Sequence, residues 1–104
     1  MSIIRKYRNQ KTAVNGITFD SKKEAARYGE LKILERAGKI KELKLQVKYD
    51  LAVNGLKICS YKSDFTYFEE GQQITEDVKG MKTRVYEIKK KLMKAIHGIE
   101  IRET

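Results

Sequence analysis

Asp77-Val78-Lys79 is where this chain brings an acid and a base together at the spacing of one strand face. Side chains at i and i+2 of an extended strand point the same way, so Asp77 and Lys79 share a face. Upstream, Glu70-Gly71 reads as a tight turn. Folding the chain about it pairs Phe68 with Gln73, Thr66 with Thr75 and Asp64 with Asp77. Directly opposed side chains lie about 5 Å apart, and like charges so placed destabilise a sheet unless something compensates them. A divalent cation is the obvious candidate, because Mg²⁺ is commonly held by one or two carboxylates, waters and phosphate oxygens. Lys79 beside it could orient or activate an attacking water or stabilise developing charge.

Each of these residues also has an ordinary explanation. An Asp near a strand end is common turn chemistry, and Asp-x-Lys occurs by chance in most proteins. Glu24 stands three residues after Ser21, the arrangement of a capping box, so it is either a helix cap or a third acid at the site. Other chemistries are narrowed by composition. A single cysteine, Cys59, excludes an internal disulfide and multi-cysteine zinc sites, and a single histidine, His97, removes histidine cages and Ser-His or Cys-His catalysis. Cys59 reads as a small buried hydrophobe and His97 as a residue of a helix C-terminus. No apolar run approaches the roughly 18 residues of a membrane span, and no signal-peptide core follows Met1. The expectation is a cytoplasmic protein with no membrane partner.

The 104 residues carry 23 Lys and Arg against 14 Asp and Glu, a net charge of +9 that points to a polyanionic partner. The excess is local. Residues 1–11 hold Arg5, Lys6, Arg8 and Lys11 with no acid, and residues 79–94 hold Lys79, Lys82, Arg84, Lys89, Lys90, Lys91 and Lys94 against Glu87 alone. Arg5, Lys6, Arg8, Lys82, Arg84, Lys89, Lys90 and Lys94 are thus candidate phosphate contacts, the alternative being a solvated helix face and a terminus.

The elements that must position these groups form one domain, 1–104. Residues 1–11 lack periodicity and read as a flexible basic arm. Asn15-Gly16 marks a short hairpin ending at Phe19. Ser21 opens a helix that runs to about Ala37 before Gly38, with Tyr28, Leu31 and Leu34 facing inward. Leu43, Leu45, Val47, Tyr49, Leu51 and Val53 alternate with polar residues as one long strand. Asn54-Gly55 turns it into a second strand that runs through Tyr61 to about Phe68, with Tyr61, Phe65 and Tyr67 as core. For these two strands to share a face, either a bulge lies between Leu56 and Ser60 or the loop is longer than two residues. Gln73 to Lys79 is a third strand. Thr83 caps a helix from Arg84 to about His97 with Val85, Ile88, Leu92 and Ile96 buried, and Ile99 to Ile101 form the last strand. The expected class is α/β, in the order α-β-β-β-α-β after the hairpin and arm.

Ser63-Asp64 and Asp77-Val78-Lys79 in that order of elements resemble the PD-(D/E)XK nuclease superfamily, with Ser63 where its motif often has proline. Phe19-Asp20-Ser21-Lys22-Lys23-Glu24-Ala25 and Glu76-Asp77-Val78-Lys79-Gly80 are similar to a family of small phage-encoded endonucleases, a resemblance that spans residues 6–101. It implies a restriction-endonuclease-like core and Mg²⁺-dependent hydrolysis of DNA, with Mn²⁺ as a substitute metal. Asp64, Asp77 and the Val78 carbonyl would be ligands, Lys79 the catalytic lysine and Glu24 the helix acid. Holliday-junction resolvases are relatives of this architecture, which implies junction or branched DNA as substrate, often a homodimer, and the host cytoplasm for a phage protein. The alternative is a non-catalytic nucleic-acid-binding phage protein on the same fold.

Overall fold

The computed structural model describes residues 11–14 and 16–104, so the arm candidates Arg5, Lys6 and Arg8 and the turn residue Asn15 lie outside the described residues. The fold is mixed α/β. Strands β1 (Thr12–Val14) and β2 (Ile17–Phe19) pair as the expected hairpin, with Val14 opposite Ile17. Helix α1 (Lys22–Arg36) begins at Ser21, whose hydroxyl accepts the Glu24 amide at 3.1 Å, and ends at Ala37 before Gly38 at φ +78°. Tyr28 and Leu31 are buried, while Leu34 is half-buried.

The long alternating strand is broken in two. β3 (Ile40–Leu45) and β4 (Lys48–Val53) are separated at Gln46-Val47, and the returning chain is split into β5 (Leu56–Lys62) and β6 (Phe65–Glu69) at Ser63-Asp64. Gln46 takes φ +54°, and the Gln46 and Ser63 amides donate across the corner to the Asp64 and Val47 carbonyls. Both strands of the hairpin therefore bend together. Alternation survives the bend, because Leu43, Leu45, Val47, Tyr49 and Leu51 still face inward to some degree, so the pattern carries no mark of the corner. The choice between a bulge and a longer loop beyond Asn54-Gly55 resolves as a bulge. The turn has two residues, at φ +52° and +80°, and Ile58 is the extra residue between the pairs Ala52–Lys57 and Leu51–Cys59.

β7 (Gln72–Asp77) pairs antiparallel with β6 in the expected register, Phe65 opposite Glu76 and Phe68 opposite Gln73. The last strand falls later than expected, at β8 (Arg102–Glu103), which runs parallel to β7. Ile99 and Ile101 instead pack into the core on the way to it. The main sheet has the order β3-β6-β7-β8, and β4 and β5 form a separate two-stranded sheet.

Two cores flank the main sheet. Phe19, Tyr28, Leu31, Ile40, Phe65 and Tyr67 pack beneath α1, and Leu51, Tyr61, Tyr86, Met93 and Ile101 pack beneath the second helix. That helix, α2 (Arg84–Leu92), is capped by the Thr83 hydroxyl and continues as a π-helical turn, Met93–His97, closed by Gly98 at φ +69°. Its buried face differs from the expected one: Tyr86 and Met93 are buried, with Leu92 and Ile96 partly so, while Val85 and Ile88 are 61% and 53% exposed. Turning Tyr86 inward lets its hydroxyl reach Glu103 at 2.6 Å, a bond no aliphatic neighbour could make. Among the described residues, no helix is long and apolar enough to cross a membrane.

A buried ion pair pins α1 to the sheet. Glu76 is fully buried, and its carboxylate accepts Arg27 Nε at 2.7 Å and Nη2 at 3.1 Å, Thr104 Oγ1 at 2.9 Å and the Tyr67 hydroxyl. Burial alone would raise its pKa, but these four donors outweigh it and hold the carboxyl below its ordinary 4.5. Breaking such a pair leaves an uncompensated buried charge, so Arg27→Ala should lose about 3 kcal/mol in urea unfolding at neutral pH. Because the folded-state pKa is depressed, the parent's contribution from Glu76 is present above pH 4.5 and lost as pH falls through the folded value. The Arg27→Ala variant should show a shallower acid limb in the same measurement.

Candidate active site

The β6–β7 ladder ends with Phe65 opposite Glu76, and Asp64, in the bend just before β6, gives its amide to the Glu76 carbonyl while its side chain lies beside that of Asp77. The Asp64 carbonyl and amide are fixed by Gln46 and Glu76, and its Oδ2 accepts the Val78 amide at 2.8 Å. Burial pushes the Asp64 carboxyl up to about 8. The Val78 amide opposes this, while Asp77 and Glu24 add to it by hydrogen bond or charge.

Asp77 is buried and anchored on both oxygens. Tyr61 donates its hydroxyl to Oδ2 at 2.5 Å, and Lys79 Nζ lies 3.1 Å from Oδ1. Burial and the Asp77 carboxylate drive the Tyr61 phenol pKa upward, so Tyr61 stays a donor. Lys79 also sits 3.8 Å from the centre of the Tyr86 ring, which holds the ammonium over an aromatic face. Asp77 and Lys79 thus share a face, as strand alternation requires.

Glu24 completes the group, and in a way the capping box does not explain. Ser21 caps the helix, but no hydrogen bond or ion pair joins the Glu24 carboxylate to any described residue, although Glu24 is only 7% exposed. Burial raises its pKa, with Asp20 and Asp77 adding and Lys62 opposing. Buried carboxylates normally have partners. Glu24, Asp64, Asp77, Val78 and Lys79 all line one open cleft of about 500 Å³, with Asp20, Ser21, Lys22, Lys23 and Gly80 around them. The five residues that the sequence marks as a site therefore meet in one place.

The donors present are oxygen ligands suited to a hard cation that keeps several waters. Among the described residues, no three His, Cys, Asp or Glu side chains converge into a ready-made cage. The arrangement is a facing carboxylate pair with a third acid nearby.

Residues 4–103 match the family described as "Protein of unknown function (DUF1064)". The chain belongs to that family. No curated protein and no solved structure matches it.

The candidate phosphate contacts on and before α2 have a different fate. Lys82 and Lys90 pair with Glu103 at 2.9 and 3.1 Å, and Lys94 pairs with Glu100 at 3.2 Å. These bonds, led by that of the Tyr86 hydroxyl, hold the Glu103 carboxyl down at about 2. Arg84 and Lys89 have no ion pair among the described residues. His97 bonds the Asp50 carbonyl at 2.8 Å and so ties the π-helical turn to β4, and Cys59 is half-buried and free.

Three contributors escaped sequence reasoning: Tyr61 and Tyr86, which orient Asp77 and Lys79, and the Glu76–Arg27 pair behind them. Glu76 had a usable signal, since on a strand it shares the face of Ile74 and Val78, and a charge flanked by apolar residues at i±2 calls for a buried partner.

The Asp64 carboxyl provides a pH test. Its pKa is raised on folding from 3.8 to about 8, so the native state binds more protons between those values and stability falls as pH rises across them. Asp64→Asn removes that slope. Its melting temperature should exceed the parent's at about pH 9, with the difference shrinking at about pH 5.

Proposed function

We propose that this protein is a Mg²⁺-dependent DNA endonuclease of restriction-endonuclease-like fold, acting in the cytoplasm on junction or branched DNA. The observation that carries the reading is the buried Glu24 carboxylate, without a partner among the described residues, lining the same cleft as the neighbouring Asp64 and Asp77 and the paired Lys79. A purely structural cleft gains nothing from three acids brought together, since each adds repulsion to the others.

What supports the fold part of this reading is the mixed α/β architecture, with strands between two helices and a parallel strand after the second. The reading takes β3, β6 and β7 as the three strands between α1 and α2, treats β4 and β5 as an extension of the hairpin that joins β3 to β6, and takes β8 as the last strand. In this reading Asp64 and Asp77, with the Val78 carbonyl, are the Mg²⁺ ligands. When bound, the ion supplies Lewis-acid polarisation of the phosphate and relief of the carboxylate repulsion. Hydrolysis joins a water oxygen to phosphorus and breaks the bond to the leaving sugar oxygen. Lys79, held over the Tyr86 ring and against Asp77, presents N–H donors to that water and to the growing negative charge. Tyr61 keeps Asp77 in one orientation through its 2.5 Å hydrogen bond. Glu24 adds a further oxygen donor at the cleft wall.

Labelled duplex, nicked, flap and four-way-junction DNA, incubated with and without Mg²⁺, should show metal-dependent cleavage. Asp77→Asn should abolish it with the fold intact. Lys79→Ala should lose about 10²–10³ in rate yet retain much of the Mg²⁺-induced rise in melting temperature, because lysine is no ligand. Cleavage by Asp77→Asn at the parent's rate would leave the non-catalytic binding protein as the better reading. Glu24→Gln separates cap from site: as a site acid it should depress cleavage about 10- to 100-fold while raising the melting temperature, because an unpaired buried charge has gone. Full activity in that variant would confine Glu24 to the helix terminus.

A further inference from the structure

The net positive charge has to meet its partner somewhere, and the fold takes up part of the obvious place. Of the basic residues on and around α2, Lys82, Lys90 and Lys94 pair with Glu103 and Glu100, acids that lie beyond the helix in the chain, which leaves Arg84 and Lys89 among the candidate contacts there. Around the acidic cleft the opposite holds. Lys22 and Lys23 line its wall at the start of α1, and neither has an acidic partner among the described residues. Lys23 Nζ is held instead by the Lys79 carbonyl at 2.7 Å, which keeps its ammonium at the cleft edge.

A second pair of lysines stands at the base of the β4–β5 hairpin, next in the chain to Ser63-Asp64. Lys48 stands directly opposite Lys62, both are exposed, and neither forms an ion pair among the described residues. Like charges directly opposed across two strands are destabilising. The same hairpin shows that a partner was available in principle, since Lys57 pairs with Asp50 at 3.4 Å. Lys62 is near enough to Glu24 for its charge to act on that carboxyl, and it lies two residues before Asp64. The acids of the cleft thus have Lys22 and Lys23 on its wall and Lys62 close by in the chain, none of them paired with an acid among the described residues.

We propose that Lys22 and Lys23 at the cleft wall, and Lys48 and Lys62 at the base of the β4–β5 hairpin, hold backbone phosphates of a bound DNA beside the cleft. The α2 lysines are secondary. The inference rests on the reading of the cleft as a DNA-cleaving site and assigns the surface by which the substrate enters it. Four ammonium groups around three acids offset the repulsion a phosphate would meet there, and a phosphate between Lys48 and Lys62 relieves their mutual repulsion. Phosphate-binding lysines of this type position the duplex without reading its sequence.

The test is binding of labelled duplex DNA by fluorescence anisotropy in EDTA, from about 50 to about 200 mM salt. No cleavage is needed, so the result is independent of the metal chemistry. The slope of log K against log salt should become shallower by about 1.8 in K22Q/K62Q, which is about 0.9 for each phosphate no longer neutralised. In K90Q/K94Q it should change by less than about 0.9. K48Q/K62Q, which leaves α1 untouched, should match K22Q/K62Q in slope and melt no lower than the parent, since it removes an opposed like-charge pair. An unchanged slope in both cleft variants, with a large change in K90Q/K94Q, overturns the proposal while leaving the DNA reading in place. A parent that shows no salt-dependent binding overturns both. A parent that binds with the expected slopes but never cleaves leaves the phosphate track standing and sinks only the nuclease.

Discussion

The register of a single hairpin underlies the rest of this structure. Glu70 and Gly71, at φ +52° and +78°, form a two-residue turn whose twist suits the strands it joins, and that turn fixes which residues of β6 and β7 oppose one another. Strand side chains alternate between faces, so a slip of one residue would send every side chain to the opposite side. In the register adopted, Glu76 faces α1 and meets Arg27, while Asp77 faces the second core and meets Asp64, Tyr61 and Lys79. One turn therefore places both the anchor that binds helix to sheet and the acids that line the cleft.

Glu76 and Asp77 are chemically alike and adjacent, yet their surroundings put them to different uses. Glu76 receives four donors and stays ionised in full burial, which makes it structural. Asp77 is shared among a phenol, an ammonium and a second carboxyl, so its partners compete for it. Such a group is held in place but remains open to exchange of one partner for another. The contrast is what favours the Asp77 side as the proposed site without reference to any motif, because satisfied carboxylates stabilise and contested ones are open to a ligand.

Much of this was legible in the chain. Hairpin turns, helix caps and the pairing of Asp64 with Asp77 rest on local chemistry, namely residues that tolerate positive φ, side chains that satisfy free amides, and strict alternation. What was hidden depends on distant contacts. The corner at Gln46 and Ser63 leaves the period-two pattern intact. The face of α2 is set by a hydroxyl reaching Glu103 and not by its aliphatic stripe, so Val85 and Ile88 point to solvent. The acids that pair with Lys82, Lys90 and Lys94 were hidden for a related reason, since they come from residues 100 and 103, beyond the helix. That the Glu24 carboxylate has no partner among the described residues could not be read from a capping box that specified one for it.

The π-helical turn, Met93–His97, sets different tolerances to length change at different points of the chain. An added residue in a helix rotates everything beyond it by about 100°. Here that rotation coexists with Met93 in the core, His97 on the Asp50 carbonyl, and Ile99 and Ile101 packed before β8 joins the sheet. Deleting one residue from this turn would carry Ile101 off the core and Glu103 off Tyr86 together. The Asn54-Gly55 turn is exposed, far along the hairpin, and bound to nothing beyond its own strands. Natural variants of this fold are expected to gain and lose residues there and to keep the length of the α2 segment constant.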